Sequence, residues 1–293
     1  MKVLNFGSLN LDYVYRVSHF VQPGETLSAL SQSVFPGGKG LNQSVALAKA
    51  GAETYHAGCA GQGSAMLEQV LKQNGVDVRY LIPVDEIQGN AVIQVNPDGQ
   101  NCILLFGGSN QCVTAQQIKD TFAGFSAGDY LILQNEVNAL PEIVDAGYEK
   151  GMRIVLNPSP YNEKIGALDL SKISWLLMNE IEAEQLSGSR DPEEAWRILH
   201  GRYPEMSAVI TLGGQGSIAF TAAETVYQEA FPVKAVDTTA AGDTFTGFFI
   251  AGLMEKRSLA ECLRRASLAA SISVTRPGAS SSIPTKEEVE ACL

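Results

Sequence analysis

The sequence predicts an α/β protein: a three-layer, mostly parallel sheet with helices on both faces and a small β-sheet lid. Two observations carry this. Short apolar runs alternate with amphipathic segments along most of the chain, and two stretches of hairpin character interrupt the alternation. Strand–helix alternation implies right-handed crossovers and a sheet covered on both faces, with ligands at the carboxyl ends of the strands.

The runs VLNF (3–6), YLILQ (130–134), RIVLN (153–157), WLLMN (175–179) and AVITL (208–212) read as buried strands. Segments 41–50, 64–74, 114–123, 139–150 and 191–201 read as helices between them. Gly51 and Gly75 stand just past the last turns of two of these, and Thr114 and Asp191 stand where N-caps belong. Longer helical patterns cover 242–255 and 258–274, followed by a Gly/Ser/Pro-rich loop (277–284) and a short acidic helix. Residues 12–36 and 88–107 form the hairpin material; in the second, NAVIQV and CILLF flank the turn Asn96–Pro97–Asp98–Gly99. They are expected to form a lid over a core of 1–11, 37–87 and 108–293, although edge hairpins extending the main sheet would share this pattern.

Composition narrows the function classes. With 45% hydrophobic and 18% charged residues, the 293-residue chain can fill a large core. A net charge of −11 argues against nucleic-acid or anionic-membrane partners. Five scattered cysteines without a C-x-x-C pair suit a reducing, cytoplasmic setting, and three isolated histidines offer no metal-ligand spacing. No stretch is apolar enough for a membrane span or a secretion signal.

The most informative segment is Val236–Asp237–Thr238–Thr239–Ala240–Ala241–Gly242–Asp243. Small residues open an apolar helix whose first-turn amides can hold an anion. Asp243 just inside is placed to take a proton from an alcohol while a phosphoryl group sits on those amides. An ordinary loop–helix junction with a first-turn acid would also fit. A second segment, Pro36–Gly37–Gly38–Lys39–Gly40–Leu41–Asn42, combines close backbone approach at glycines with donors from Lys39 and Asn42. It lacks the P-loop spacing, and no G-x-G-x-x-G occurs, so both common nucleotide fingerprints are missing.

Three weaker signals complete the set. Asn10 and Asp12, two apart after the first strand, face the same way in extended backbone and can hold neighbouring sugar hydroxyls. Asn179 and Glu182 share a helix face and suit a magnesium shell reached through water, or equally an N-cap with its capping-box acid. Thr211–Leu212–Gly213–Gly214–Gln215–Gly216 is a nucleotide-facing turn or a hairpin turn into SIAFT.

In this order, GSLNLD, PGGKGLNQSVA, LNPSP, MNEIEAE, TLGGQG, VDTTAAGDTFTG and VTRPGA resemble the ribokinase-like (PfkB-type) carbohydrate kinase family across essentially the whole chain. Ala240 departs mildly from the family, in which many members have glycine. The resemblance implies ATP as phosphoryl donor, Mg²⁺ and a sugar hydroxyl as acceptor. GGKGLNQ and AAGD favour ribose or a related pentose over a ketohexose, deoxyribose or nucleoside. A non-catalytic sugar or nucleotide sensor is the reading from another class.

By the same resemblance Asp243 is the general base, with Ala241 and Gly242 supplying anion-hole amides. Asn10, Asp12, Gly38, Lys39, Asn42 and Glu136 line the sugar pocket. Asn179, Glu182, Thr211, Gly213, Gly214, Gly216 and Gly242 serve the nucleotide and Mg²⁺. Asp237, Thr239, Ser273, Arg276, Gly278 and Ser282 match positions that hold a monovalent cation, K⁺ being the expected activator. A homodimer through the lid is the expected assembly.

Overall fold

The computed structural model describes residues 1–293. Strand β1 (Val3–Phe6) opens the main sheet, and β2 (Asn10–Arg16) and β3 (Ser31–Gly37) leave it as a hairpin. Helix α1 (Lys39–Lys49), β4 (Thr54–Gln62), α2 (Ala65–Gln73) and β5 (Asp77–Ile87) return to the core, and β6 (Asn90–Val95) and β7 (Asn101–Phe106) leave it again. There follow α3 (Ala115–Phe122), β8 (Tyr130–Gln134), α4 (Leu140–Glu149), β9 (Arg153–Asn157), the single turn α5 (Glu163–Gly166) and β10 (Trp175–Asn179). The chain ends with α6 (Glu180–Ser187), α7 (Pro192–Arg202), β11 (Ser207–Thr211), β12 (Ser217–Phe220), β13 (Thr225–Gln228), α8 (Ala241–Met254), α9 (Leu259–Val274) and α10 (Lys286–Glu290).

Nine strands form the main sheet in the order β13-β12-β11-β10-β9-β8-β1-β4-β5, and four form the second in the order β3-β2-β6-β7. From β11 to β5 every neighbouring pair is parallel; only the β11–β12 and β12–β13 pairs are antiparallel. The three-layer arrangement follows from alternation within the strands. Leu4 and Phe6 of β1 enter a core of 31 buried residues on one face, and Val3 enters one of 30 on the other. Such similar cores require helices on both sides: α3, α4, α6 and α7 cover the first, α1, α8 and α9 the second.

The expected helices lie within one or two residues of their forecast bounds. Thr114 caps α3 by accepting from Gln117 N (3.2 Å), and Asp191 caps α7 by accepting from Glu194 N (2.8 Å). The five forecast strands are present, but the sheet has four more. β4 runs through Gly58 and Gly61 and carries His56, so it lacks an apolar run despite being almost wholly buried. β5 is an edge strand whose Pro83 and acids mask its pattern. The segment after Gly216 is the hairpin strand β12, antiparallel to β11.

No helix is long and apolar enough to cross a membrane.

Candidate active site

Three parallel strands end at one cavity. The last residues of β9, β10 and β11 are Asn157, Asn179 and Thr211, and all three line a space of about 250 Å³. Facing them is the start of α8, with Gly242 and Asp243, and from α1 comes Lys39, the only basic side chain on the wall. The cavity therefore lies where a parallel sheet offers its binding crevice.

Two glycines bring α1 to this place. Gly38 precedes the helix at φ 92°, a conformation that side chains rarely adopt. Gly40 packs so tightly on the Gly7–Ser8 backbone that a Cβ would collide with it. Asn42 and Gln43 in the first turns of α1 are thereby set against α8. Asn42 Nδ2 donates to Asp243 Oδ2 at 3.1 Å and Gln43 Nε2 donates to Asp243 Oδ1 at 2.9 Å.

Asp243 lies in the first turn of α8, 7% exposed. The helix is entered through Ala240 at φ 60°, which explains why glycine suits that position. The Ala241 amide, expected to be free for an anion, leans on the Thr238 carbonyl at 3.3 Å. Such a long bond can be exchanged for a better acceptor.

The other expected sugar ligands, Asn10, Asp12 and Glu136, are not on the cavity wall. Asn10 and Asp12 share one face of β2, with Gly37 packed directly against the Asp12 carboxylate. Asn10 Oδ1 accepts from Asn110 Nδ2 at 2.8 Å. Glu136 follows β8; its Oε2 accepts from the Lys39 amide (3.1 Å) and from the Ser8 hydroxyl. Burial pushes the Asp12 carboxyl up to about 7, with the Glu136 charge adding to the rise. Burial also holds Glu136 above the ordinary carboxylate range, against the pull of Lys39. Burial would lower Lys39, but Asp243, Glu136 and Glu182 together outweigh it and keep the ammonium charged.

Glu182 and Asn179 form a complete capping box at the start of α6. Asn179 Oδ1 accepts from the amides of Ile181 (3.0 Å) and Glu182 (2.9 Å), and Glu182 Oε2 accepts from Asn179 N at 3.0 Å. The capping reading is thus met, and both residues also line the cavity. Thr211 lines it as well, but Gly213, Gly214 and Gly216 do not. Gly213 and Gly214 lie in the exposed turn between β11 and β12 and Gly216 is buried at its end, all three outside the wall.

Behind α8, Asp237 accepts from Thr239 N (2.9 Å), Thr239 Oγ1 (2.6 Å) and Gly278 N (2.9 Å), and Ser273 Oγ lies 2.8 Å from Ser282 Oγ. Burial would raise the Asp237 carboxyl, but these donors outweigh it and hold it below its ordinary range. Arg276 does not join them; its guanidinium is turned to Glu288 at 2.6 Å. The residue expectations missed Asn110, Asn157 and Gln43. Asn157 and Gln43 sit inside quoted motifs, whereas Asn110 carries no local signal.

The model of the family described as pfkB family carbohydrate kinase matches residues 1–286. The chain belongs to this family. The carbohydrate kinase is 36% identical to the ribokinase of Haemophilus influenzae over 292 residues, covering 96% of this chain and 95% of that protein. A ribokinase structure from Thermotoga maritima superposes with a TM-score of 0.88 at 35% identity, over 99% of this chain and 98% of that one. The Arabidopsis thaliana ribokinase complexed with ribose and ATP matches with a TM-score of 0.85 at 29% identity, over 99% and 97%. The nine-stranded sheet and the smaller four-stranded sheet of the kinase thus belong to a shared fold.

Proposed function

We propose that this kinase transfers the γ-phosphoryl group of ATP to a hydroxyl of ribose or a closely related pentose, with Asp243 as general base and D-ribose to ribose 5-phosphate as the main reaction. One observation carries the reading: Asp243 sits at a helix start, bonded to Asn42 and Gln43, on the wall that also holds Lys39 and Glu182. The Arabidopsis relative bound to ribose and ATP supports the choice of substrates.

The acceptor hydroxyl lies against Asp243, while Asn10, Asp12, Lys39, Asn42 and Glu136 hold the remaining hydroxyls from the Gly38 turn and β2. The Gly242 and Ala241 amides and the positive end of α8 stabilise charge on the transferring phosphoryl. Asp243 takes the hydroxyl proton as the new O–P bond forms and the bond to the ADP leaving oxygen breaks. Asn179 and Thr211, with the Gly213–Gly216 turn beyond the wall, serve the nucleotide. The four-stranded sheet acts as a lid, excluding water so that alignment is not wasted on hydrolysis.

Mg²⁺ fits the donor set. Glu182 turns one carboxylate oxygen to its own helix and lines the cavity, and the buried Asn157 Oδ1 beside it has no partner. Hard oxygen donors beside the triphosphate suit a cation that keeps several waters, and when bound it neutralises charge on the phosphates. K⁺ fits less fully: Asp237, Thr239, Ser273, Gly278 and Ser282 supply oxygens from side chain or backbone, and Arg276 could offer only its backbone. The five free cysteines support a reducing, cytoplasmic setting.

A homodimer through the lid is part of the reading. Ile103, Leu104, Leu105 and Phe106 of the edge strand β7 are 49–71% exposed, an apolar edge suited to a second copy. Assays of pentoses, hexoses, deoxysugars and nucleosides with ATP and Mg²⁺, with and without K⁺, test the function. Ribose is expected to give the highest kcat/KM, with K⁺ raising it. Faster turnover of a ketohexose or nucleoside overturns the acceptor, and ADP release from none overturns the enzyme reading.

A further inference from the structure

On the sheet face under α1, apolar positions give way near the carboxyl ends to a row of polar side chains. His56 on β4 stands opposite Asn5 on β1, and Gln134 follows on β8. With Gln43 above them on α1, all four are 0% exposed. Burying polar groups in an apolar layer costs free energy unless they are hydrogen-bonded.

Their hydrogen bonds form one directed chain. An ionised Asp243 can only accept, so the Gln43 amino group must face it, as it does at 2.9 Å. That leaves Gln43 Oε1 to accept from Gln134 Nε2 at 2.6 Å. The same amino group donates to Asn5 Oδ1 at 3.0 Å, and Asn5 Nδ2 donates to the Gly40 carbonyl (2.7 Å) and to Ser44 Oγ (2.8 Å). Ser44 must then send its own proton to His56 Nδ1, 2.8 Å away. Burial drives His56 down to about 4, so the imidazole is neutral and able to accept.

A reversed Gln43 amide would point a carbonyl oxygen at a carboxylate and set two amino groups against each other. The chain admits one orientation. Gln43 is also absent from the cavity wall, whereas Lys39 and Asp243 line it. Asn42, like Gln43, is absent from that wall and also donates to Asp243, at 3.1 Å, but its own Oδ1 has no partner; only Gln43 is locked from behind.

We propose that Gln43 is the positioning residue for the catalytic base, orienting the Asp243 carboxylate while Gln134 and Asn5 lock the Gln43 amide. This rests on the reading of Asp243 as general base. It assigns a role in turnover to a buried row outside the cavity wall.

The experiment compares Gln43→Leu, Gln43→Glu and Gln134→Met with Asp243→Asn, measuring kcat, both KM values, the pH profile of kcat and the melting temperature. Gln43→Leu is expected to lower kcat by about 10- to 100-fold with KM values within about 3-fold, the scale of a misplaced catalytic group. Its acid limb should move to higher pH by about one unit, because a donor to the charged carboxylate is gone. Gln43→Glu keeps the shape but sets a second carboxyl against Asp243, and should move the limb further. Gln134→Met should act in the same direction more weakly. The other charged groups facing Asp243 (Lys39 from α1, Glu136 after β8 and Glu182 from α6) are unchanged in every variant. Should Gln43→Leu fail to fold, the isosteric Gln43→Glu carries the test. Folded Gln43 variants with wild-type kcat and an unmoved limb overturn the inference, as does a joint fall in kcat and melting temperature with no limb movement. If Asp243→Asn retains turnover, the general-base reading falls first and this inference with it. If Asp243→Asn is inactive while Gln43 variants are silent, only the inference falls.

Discussion

Asn42 and Asp243, 201 residues apart in sequence, meet at 3.1 Å through Nδ2 and Oδ2 inside the protein. That contact joins the glycine turn that opens α1 to the first turn of α8, so Lys39 and Asp243 line one cavity. Had the two opened onto different cavities, no single hydroxyl could meet both.

Asp243→Asn is expected to keep sugar binding and lower kcat by roughly 10²- to 10⁴-fold, the range for a positioned base. The asparagine keeps the shape but cannot take the proton. Equilibrium binding of ribose together with steady-state kinetics checks this, and near-normal turnover would remove Asp243 from the role.

Glu182→Gln separates capping from metal binding. The amide still offers an oxygen to Asn179 N, so α6 keeps its cap and the melting temperature should stay within about 1 °C. Loss of the charge should raise the Mg²⁺ concentration for half-maximal rate by about 10-fold. A Mg²⁺ titration that matches wild type contradicts the assignment.

Asp12 links sugar binding to protons. With its carboxyl pushed up to about 7, it is largely protonated at pH 6 in the free protein. A sugar hydroxyl donating to the carboxylate favours the charged form, so ribose uptake should release protons between about pH 5 and 7. Calorimetry in buffers of different ionisation enthalpy reads this, and Asp12→Asn should abolish it; zero release by the parent protein would rule it out. The sign for stability is opposite to the usual carboxylate. The folded value lies above the 3.8 of a free aspartate carboxyl, so this group's contribution is full below that pH and is lost as pH rises through about 7.

Ala240 holds a left-handed backbone at φ 60° without being glycine. Removing its Cβ relieves about 1 kcal/mol, partly offset by the greater freedom of glycine in the unfolded chain. Ala240→Gly should raise the melting temperature by roughly 2 °C. A lower melting temperature would show that the position is not strained.

Motifs with strong local chemistry were legible in the residue order. Gly38 announces a backbone turn, Asp243 follows small residues at a helix start, and Thr114 and Asp191 mark N-caps through the bonds their side chains must make. Strands β1, β8, β9, β10 and β11 are apolar runs because both of their faces are buried. β4 was hidden, since a strand carrying His56 and two glycines has no such run; it is a strand because β1 and β5 pair with it. Asn110 reaches Asn10 only because the segment after β7 folds back beside the start of β2. Arg276 was expected among cation ligands, and its turn toward Glu288 depends on where α10 packs.

The residue order by itself determined the alternating strands and helices, the two helices opened by small residues and the family to which the chain belongs, because these depend on local periodicity and on chemistry between near neighbours. Only the tertiary structure decided that Gln43, Gln134 and Asn5 form a single chain behind Asp243. Their contact follows from the register of β1 against β8 and the seating of α1 on both, and a register between distant strands leaves no trace in the spacing of residues along either one.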